Sequence, residues 1–255
     1  MKYSKLPWVV LFGGAGREGV VKGLLSAGIN IVVVFVPKKQ SAKFSMVVES
    51  LKNLHVQIQE IDRGEMEAAF DGLEKAVLLS VGFPYIIPKA LFSRHPLALN
   101  MHPTLLPKYR GPTTGAYILI NNEQYTGSTV HLLDEVFDKG AVVTQSKVAL
   151  SPFDTLRSMQ RQVYQSEPAL LLEAIDMLDS GFKPIQQDES NASTFPTIRK
   201  PEDSIIDPTR PLIELVNDIR ACDPEQFPAF FMYHGEKVFV KLWRKQKKEN
   251  EADTI

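Results

Sequence analysis

Asn100, His102 and Asp138 are side chains whose types, taken together, suit charge stabilisation and proton transfer. Asn100 brings a neutral N–H donor. His102 donates when protonated and shuttles a proton near neutral pH. The two lie two positions apart at the end of an extended segment, so both side chains point to one side. Asp138 follows His102 by 36 positions and brings a carboxylate. Close to an imidazole, such a group raises the histidine's proton affinity, orients a water or accepts a proton. Taken singly, each residue has a plain structural reading as a turn or hydrogen-bonding residue. His131 lies in a strand-like segment and is expected either to orient these neighbours or to be a core histidine. A zinc site built on His102 and His131 fails on ligand count, because Cys222 is far away in sequence and no close histidine pair exists. No metal is expected.

A second pattern is Gly14-Ala15-Gly16-Arg17-Glu18-Gly19, a G-x-G-x-x-G after a strand and before a helix. That context suits a dinucleotide site, where glycines let backbone approach a pyrophosphate at a helix N-terminus. A NAD site also needs an acid at the end of the next strand, and here that strand ends Phe35-Val36-Pro37-Lys38-Lys39. Three readings stay open: a tight turn, a phosphate contact to a substrate through Gly14 and Gly16, or an NADP site.

The elements that must position these residues alternate through the first half. Trp8–Phe12 is a continuous apolar run, as parallel strands buried on both faces require. A helix follows over Arg17–Ala27, stopped by Gly28. Ile29–Val36 is a β-branched strand, Lys43–Asn53 a helix, and His55–Ile61 a third strand. Glu65–Leu73 is a short helix; Ala76–Val81 and Leu97–Met101 are the fourth and fifth strands. This order predicts a Rossmann-like α/β fold, a mostly parallel sheet with helices on both faces. Gly127–Leu133 and Ala141–Leu150 are strands joined by a short link, and Asp154–Leu178 is a long helix. The expected division is a catalytic domain over 1–181, a linker over 182–210, a small C-terminal α+β module over 211–245 and a tail over 246–255. In the module, Pro211–Arg220 reads as a helix, and Ala229–Trp243 as a hairpin turning at His234-Gly235-Glu236.

Composition excludes several classes. The 255 residues are 44% hydrophobic and 23% charged, so a disordered chain is ruled out. The net charge of -1 gives no global field for nucleic acid. The one dense basic run, Arg244-Lys245-Gln246-Lys247-Lys248, reads as a solvated tail. A single cysteine allows no intrachain disulfide, and no window approaches the ~18–20 apolar residues of a membrane span. A soluble, cytoplasmic protein is expected, with a homodimer among its assemblies.

The segment Asn100-Met101-His102-Pro103-Thr104-Leu105-Leu106-Pro107-Lys108-Tyr109-Arg110-Gly111, then Thr126-Gly127-Ser128-Thr129-Val130-His131, then Asp138-Lys139-Gly140, resembles the folate-dependent formyltransferase family. Order and spacing both match. The likeness is strong from about Val77 to Leu150 and extends toward Trp8. It implies formyl transfer from 10-formyltetrahydrofolate to a primary amine, with Asn100, His102 and Asp138 catalytic. Asp138 is preferred over Asp134 because it alone carries the D-x-G spacing. An oxyanion develops on the formyl oxygen as the amine attacks, so fixed donors and a proton acceptor are what this chemistry requires. The resemblance also implies a pterin slot lined by Phe83, Pro84, Tyr85 and Ile86 after the fourth strand and by Leu133, Asp134 and Val136 in the aspartate loop. Tyr109 and Arg110 are placed to meet a ring or phosphate of the acceptor.

The family formylates glycinamide ribonucleotide, methionyl-tRNA or amino sugars. Only about fifty residues follow Lys200, too few for the β-barrel domain of the tRNA branch. The segments Arg199–Asp207 and Asp223–Phe230 nonetheless look like a shortened form of that branch's interdomain segment. The expected acceptor is a nucleotide-linked 4-amino-4-deoxy sugar of surface polysaccharide (O-antigen, lipopolysaccharide) synthesis, with GDP-perosamine the specific expectation. The alternatives are a methionyl-tRNA formyltransferase-like enzyme, an NADP-binding reductase and a non-catalytic binding module.

Overall fold

The computed structural model describes residues 1–247, 251 and 254–255. Lys248 of the basic run and half of the expected tail lie outside the described residues. The strands β1 (Trp8–Phe12), β2 (Ile31–Pro37), β3 (Ile58–Ile61), β4 (Val77–Val81), β5 (Ala98–His102), β6 (Tyr125–Leu132) and β7 (Val142–Ala149) form one sheet in the order β3-β2-β1-β4-β5-β6-β7. The first five are parallel; β6 runs antiparallel to both of its neighbours, β5 and β7. Helices α1 (Glu18–Ser26), α2 (Ala42–Lys52), α3 (Met66–Ala69), α4 (Lys89–Phe92), α5 (Gly115–Ile120) and α6 (Leu156–Asp179) connect and cover it. Helix α7 (Leu212–Arg220) and the hairpin β8 (Ala229–Tyr233) and β9 (Glu236–Val240) form the C-terminal module. The expected Rossmann-like α/β class holds. The segment expected as a helix over Glu65–Leu73 divides into a 3₁₀ turn over Arg63–Glu65 and the single turn α3. Helices α4 and α5 have no counterpart among the expected elements.

Alternation along the strands sends side chains into two cores, one on each face of the sheet. Trp8, Val10 and Phe12 join Val20, Leu24 and Leu171 under α1, α2 and α6. Val9 and Leu11 join Met66, Phe70 and Leu91 under α3 and α4. In β5 the same alternation buries Leu99 and Met101 in the first core and turns Asn100 and His102 to the opposite face.

Helix α6 starts at the N-cap Thr155, whose hydroxyl accepts from Ser158 N–H. Its internal Pro168 lies against α1 where Gly19 and Gly23 leave room; a Cβ at Gly23 would sit 3.0 Å from Pro168 Cβ. Gly19, the last glycine of the expected dinucleotide pattern, thus serves close helix packing.

Residues 182–210 run along the body built on the seven-stranded sheet. Ile185 bridges Val142 at the β7 edge, and Thr194 bridges Arg110. The hairpin pairs Tyr233 with Glu236, so its turn is His234-Gly235, both at positive φ (47° and 85°). Two such residues form the tight turn that matches strand twist.

Candidate active site

The sheet's connections reverse direction between β1 and β4, and the crevice at the carboxyl ends of such strands is where open α/β sheets bind ligands. The cleft there encloses about 490 Å³, within the usual range for small-molecule sites. Asn100 and His102 reach it from the end of β5, Asp138 from the β6–β7 loop, and Gly14 and Arg17 from the turn after β1.

The three expected catalytic residues come together. His102 is buried, with Nε2 2.9 Å from the Tyr109 carbonyl and Nδ1 3.4 Å from Asp138 Oδ2. A carbonyl only accepts, so Nε2 carries a hydrogen and the neutral ring keeps its lone pair on Nδ1, beside the carboxylate. Burial holds the His102 proton affinity below the ordinary histidine range; Asp138 and the Tyr109 carbonyl oppose that shift without cancelling it. Burial pushes Asp138 upward, but His102, His131 and the Gly111 N–H outweigh it and leave its carboxyl below the ordinary range. At neutral pH the pair is therefore imidazole and carboxylate.

His131 meets the Leu132 carbonyl through Nδ1 at 2.8 Å, so its Nε2 accepts from Asn100 Nδ2 at 3.0 Å. The second Asn100 N–H faces Asp138 Oδ1 at 3.4 Å, a long contact that a better acceptor can replace. His131 thus orients the amide.

The motif residues around the site have mechanical reasons. Thr129 Oγ1 donates to the Thr104 carbonyl at 2.7 Å and accepts from Leu106 N–H, which ties β6 to the loop after β5. A Cβ at Gly127 or Gly140 would lie 1.7 Å from the carbonyl oxygen of Ser146 or Leu132, so neither position admits a side chain.

Phe83, Pro84, Tyr85 and Ile86 line one wall, and Leu133 and Asp134 another. Phe83 and Tyr85 pack edge to face, centroids 5.2 Å apart. Val136 is half-exposed outside the lining, and Phe137 takes the place expected of it. Tyr109 and Arg110 do not meet the cleft. The Tyr109 hydroxyl donates to Glu123 at 2.8 Å, and burial pushes it up to about 12. The Arg110 guanidinium is 2% exposed and held by Gln187 and Glu189. A positive φ of 59° at Tyr109 turns the chain there and points both side chains away.

Gly14 lines the cleft, and Gly16 packs beside Tyr164. The turn is filled by the protein itself. A Cβ at Gly14 would sit 2.7 Å from Arg17 Cδ, and one at Gly13 2.5 Å from the Gly82 carbonyl. Arg17 lies over the glycines, paired in two bonds with Glu167 at 2.6 and 2.7 Å; both side chains are buried. Glu167 also accepts from Ser128, which reaches the His102 carbonyl at 3.1 Å. No residue-type signal marked Glu167, which reads as one polar position of a long helix, or Ile198 and Thr113, which line the cleft from distant loops. Among the described residues no group of three or more His, Cys, Asp or Glu could hold a metal, and no helix is long and apolar enough to cross a membrane.

A doubly wound sheet with a donor, an imidazole and a carboxylate in the cleft at the carboxyl ends of its strands is an α/β fold with one candidate site. The model of the formyl transferase domain matches residues 20–175, and the chain belongs to that family. It is 36% identical over 178 residues to the methionyl-tRNA formyltransferase of Synechococcus sp. (strain JA-3-3Ab), covering 69% of this chain and 54% of that one. It is 26% identical over 234 residues to that of Thermotoga maritima, covering 88% and 74%. The chain therefore spans about half to three quarters of these relatives. Among solved structures, a 4-N formyltransferase from Francisella tularensis superimposes with a TM-score of 0.77 at 22% identity, covering 94% of this chain and 98% of that one. An N-formyltransferase from Helicobacter canadensis, solved with folinic acid and dTDP-3-aminofucose, gives 0.72 at 21%, covering 93% and 86%.

Proposed function

We propose that this chain transfers a formyl group from 10-formyltetrahydrofolate to the primary amine of a nucleotide-linked amino sugar. The observation that carries the chemistry is the convergence of Asn100, His102 and Asp138 at the end of β5 inside one cleft. The slot between Phe83–Ile86 and Leu133–Asp134 suits a flat heteroaromatic ring, since it is apolar and opens onto loop backbone. The folate supplies the formyl carbon that the amine attacks. Asn100 turns its second N–H from the long Asp138 contact to the formyl oxygen as negative charge develops there. His102 takes the amine proton at Nδ1, Asp138 stabilises the imidazolium that results, and the proton then passes to the folate nitrogen as its bond to the formyl carbon breaks and tetrahydrofolate leaves. His131 keeps the Asn100 amide in register.

The acceptor reaches this point from a second cavity of about 300 Å³, which shares Pro103, Pro112, Thr113, Tyr164 and Ile198 with the cleft. Arg199, Gln160 and Gln226 give it polar groups for a sugar or phosphate. The sugar reading is supported by agreement over nearly the whole length of both chains with a 4-N formyltransferase and by the net charge of -1. The specific proposal is a 4-amino-4-deoxy sugar such as GDP-perosamine, used in O-antigen synthesis in the cytoplasm. The identity to methionyl-tRNA formyltransferases favours a second reading, with an aminoacyl-tRNA as acceptor. Direct comparison of the two acceptors separates them. A tRNA enzyme neutralises several phosphates and loses affinity steeply with salt; a nucleotide sugar, with two phosphates, responds weakly.

A further inference from the structure

We infer that Gln187, in the segment after α6, is a positioning residue that clamps the Asp138 loop and so sets the placement of the carboxylate beside His102. The inference rests on the reading of His102 and Asp138 as the proton-transfer pair. Asp138 has φ 55°, a left-handed conformation that a non-glycine residue keeps only when its surroundings hold it. Its side chain is anchored by the Gly111 N–H on Oδ2 at 2.9 Å, beside longer contacts to Asn100 and His102 at 3.4 Å. Its backbone is held by Gln187, whose Nε2 donates to the Asp138 and Gly140 carbonyls, both at 2.8 Å. The same amide's oxygen accepts from Arg110 Nη2 at 2.7 Å and Nε at 3.2 Å. Every donor and acceptor of Gln187 is used, and its orientation follows, because the carbonyls cannot donate and the guanidinium cannot accept.

The clamp is itself braced. Glu189 takes two Arg110 N–H groups and pairs with Lys139 at 3.2 Å. Arg110 N–H donates to the Ser193 carbonyl, and its carbonyl accepts from Phe195 N–H. The segment from Ile185 to Phe195 is thus a strap tying the β6–β7 loop to the loop after β5, the two loops that carry Asp138 and follow His102. Loosening it lets Asp138 leave His102 Nδ1. The groups facing His102 are then His131 and Arg17, both of which oppose its protonation, with the Tyr109 carbonyl favouring it. Asp138 is faced by His102, His131, Asn100 and the Gly111 N–H. The imidazole should therefore hold its proton less well.

The test uses the full chain with Gln187→Met, which keeps length and removes both donors, and Gln187→Glu, which keeps the acceptor for Arg110. Misplaced catalytic groups typically cost up to about 10²-fold, so kcat should fall about 10–100-fold with the folate KM within about threefold. The His102 ring, followed by NMR, should titrate at lower pH than in the wild type. A purely structural strap would lower Tm without moving that titration. Glu189→Ala, an exposed change that loosens Arg110 and Lys139 but leaves Gln187 in place, should shift the titration in the same direction by a smaller amount, which keeps the test open if the Gln187 variants do not fold. Unshifted His102 titration in every folded variant, with kcat within twofold of wild type, overturns the proposal. The NMR result does not depend on the acceptor, so a wrong acceptor and a wrong clamp give different outcomes.

Discussion

At the scale of residues, the proposed chemistry rests on three side chains with separate jobs. Asn100→Ala, His102→Ala and Asp138→Ala should each lower kcat while circular dichroism stays native. Removing one oxyanion donor costs on the order of 10²–10³, and near-wild-type turnover in the His102 and Asp138 variants would contradict the roles given. The pH profile follows from direction alone. Burial lowers the His102 proton affinity, so the His102 limb of kcat/KM, separate from that of the acceptor amine, should fall on the acid side below pH about 6.5, the ordinary histidine value. Asp138→Asn removes the charge that supports the His102 proton, so that limb should move to lower pH; a shift to higher pH would contradict the pairing. That these three residues meet was legible in the sequence because their types, their order and the i, i+2 spacing are local properties. Arg110 and Tyr109 were not. Their chemistry suited a ligand, but the positive φ at Tyr109 turns them into hydrogen bonds with Gln187, Glu189 and Glu123. Val136 fell to the same limit, since a loop gives no alternation from which to tell it from Phe137.

At the scale of elements, the strands were legible because continuous apolar runs flanked by turns admit few other structures. The short helices α4 and α5 were not, as one or two turns offer too little periodicity. The glycine turn after β1 is where pattern and structure part. In sequence it is open to a tight turn, a phosphate contact or an NADP site; in the structure Arg17 covers it and pairs with Glu167 of α6, 150 positions away. Long-range pairing of this kind leaves no local signal. Glu167→Leu strands a buried guanidinium, and breaking such a pair costs about 3–5 kcal/mol. The urea midpoint should therefore drop well below that of the wild type; an unchanged midpoint would mean that Arg17 finds another partner. Gly140→Ala places a methyl 1.7 Å from the Leu132 carbonyl. The Asp138 loop must move to accommodate it, so activity should fall more than stability, read by kcat beside a thermal melt.

At the scale of the whole molecule, the cleft that holds Asn100 and His102, the proposed folate slot, meets the proposed acceptor cavity at Tyr164, Pro103 and Pro112. Isothermal calorimetry should show binding of a stable tetrahydrofolate analogue and no competition from NADP, because Arg17 fills the turn a dinucleotide would need; NADP binding in that turn would favour a reductase. The measurement that tests the central claim most directly is formylation itself. The purified chain is incubated with 10-formyltetrahydrofolate and either a set of nucleotide-linked amino sugars or methionyl-tRNA, at low and moderate salt, and products are read by mass spectrometry. The account predicts a mass gain of one formyl group on a 4-amino sugar nucleotide, weakly dependent on salt and lost in His102→Ala. Formylation of methionyl-tRNA alone would contradict the acceptor, and no formyl transfer to any amine would contradict the account as a whole.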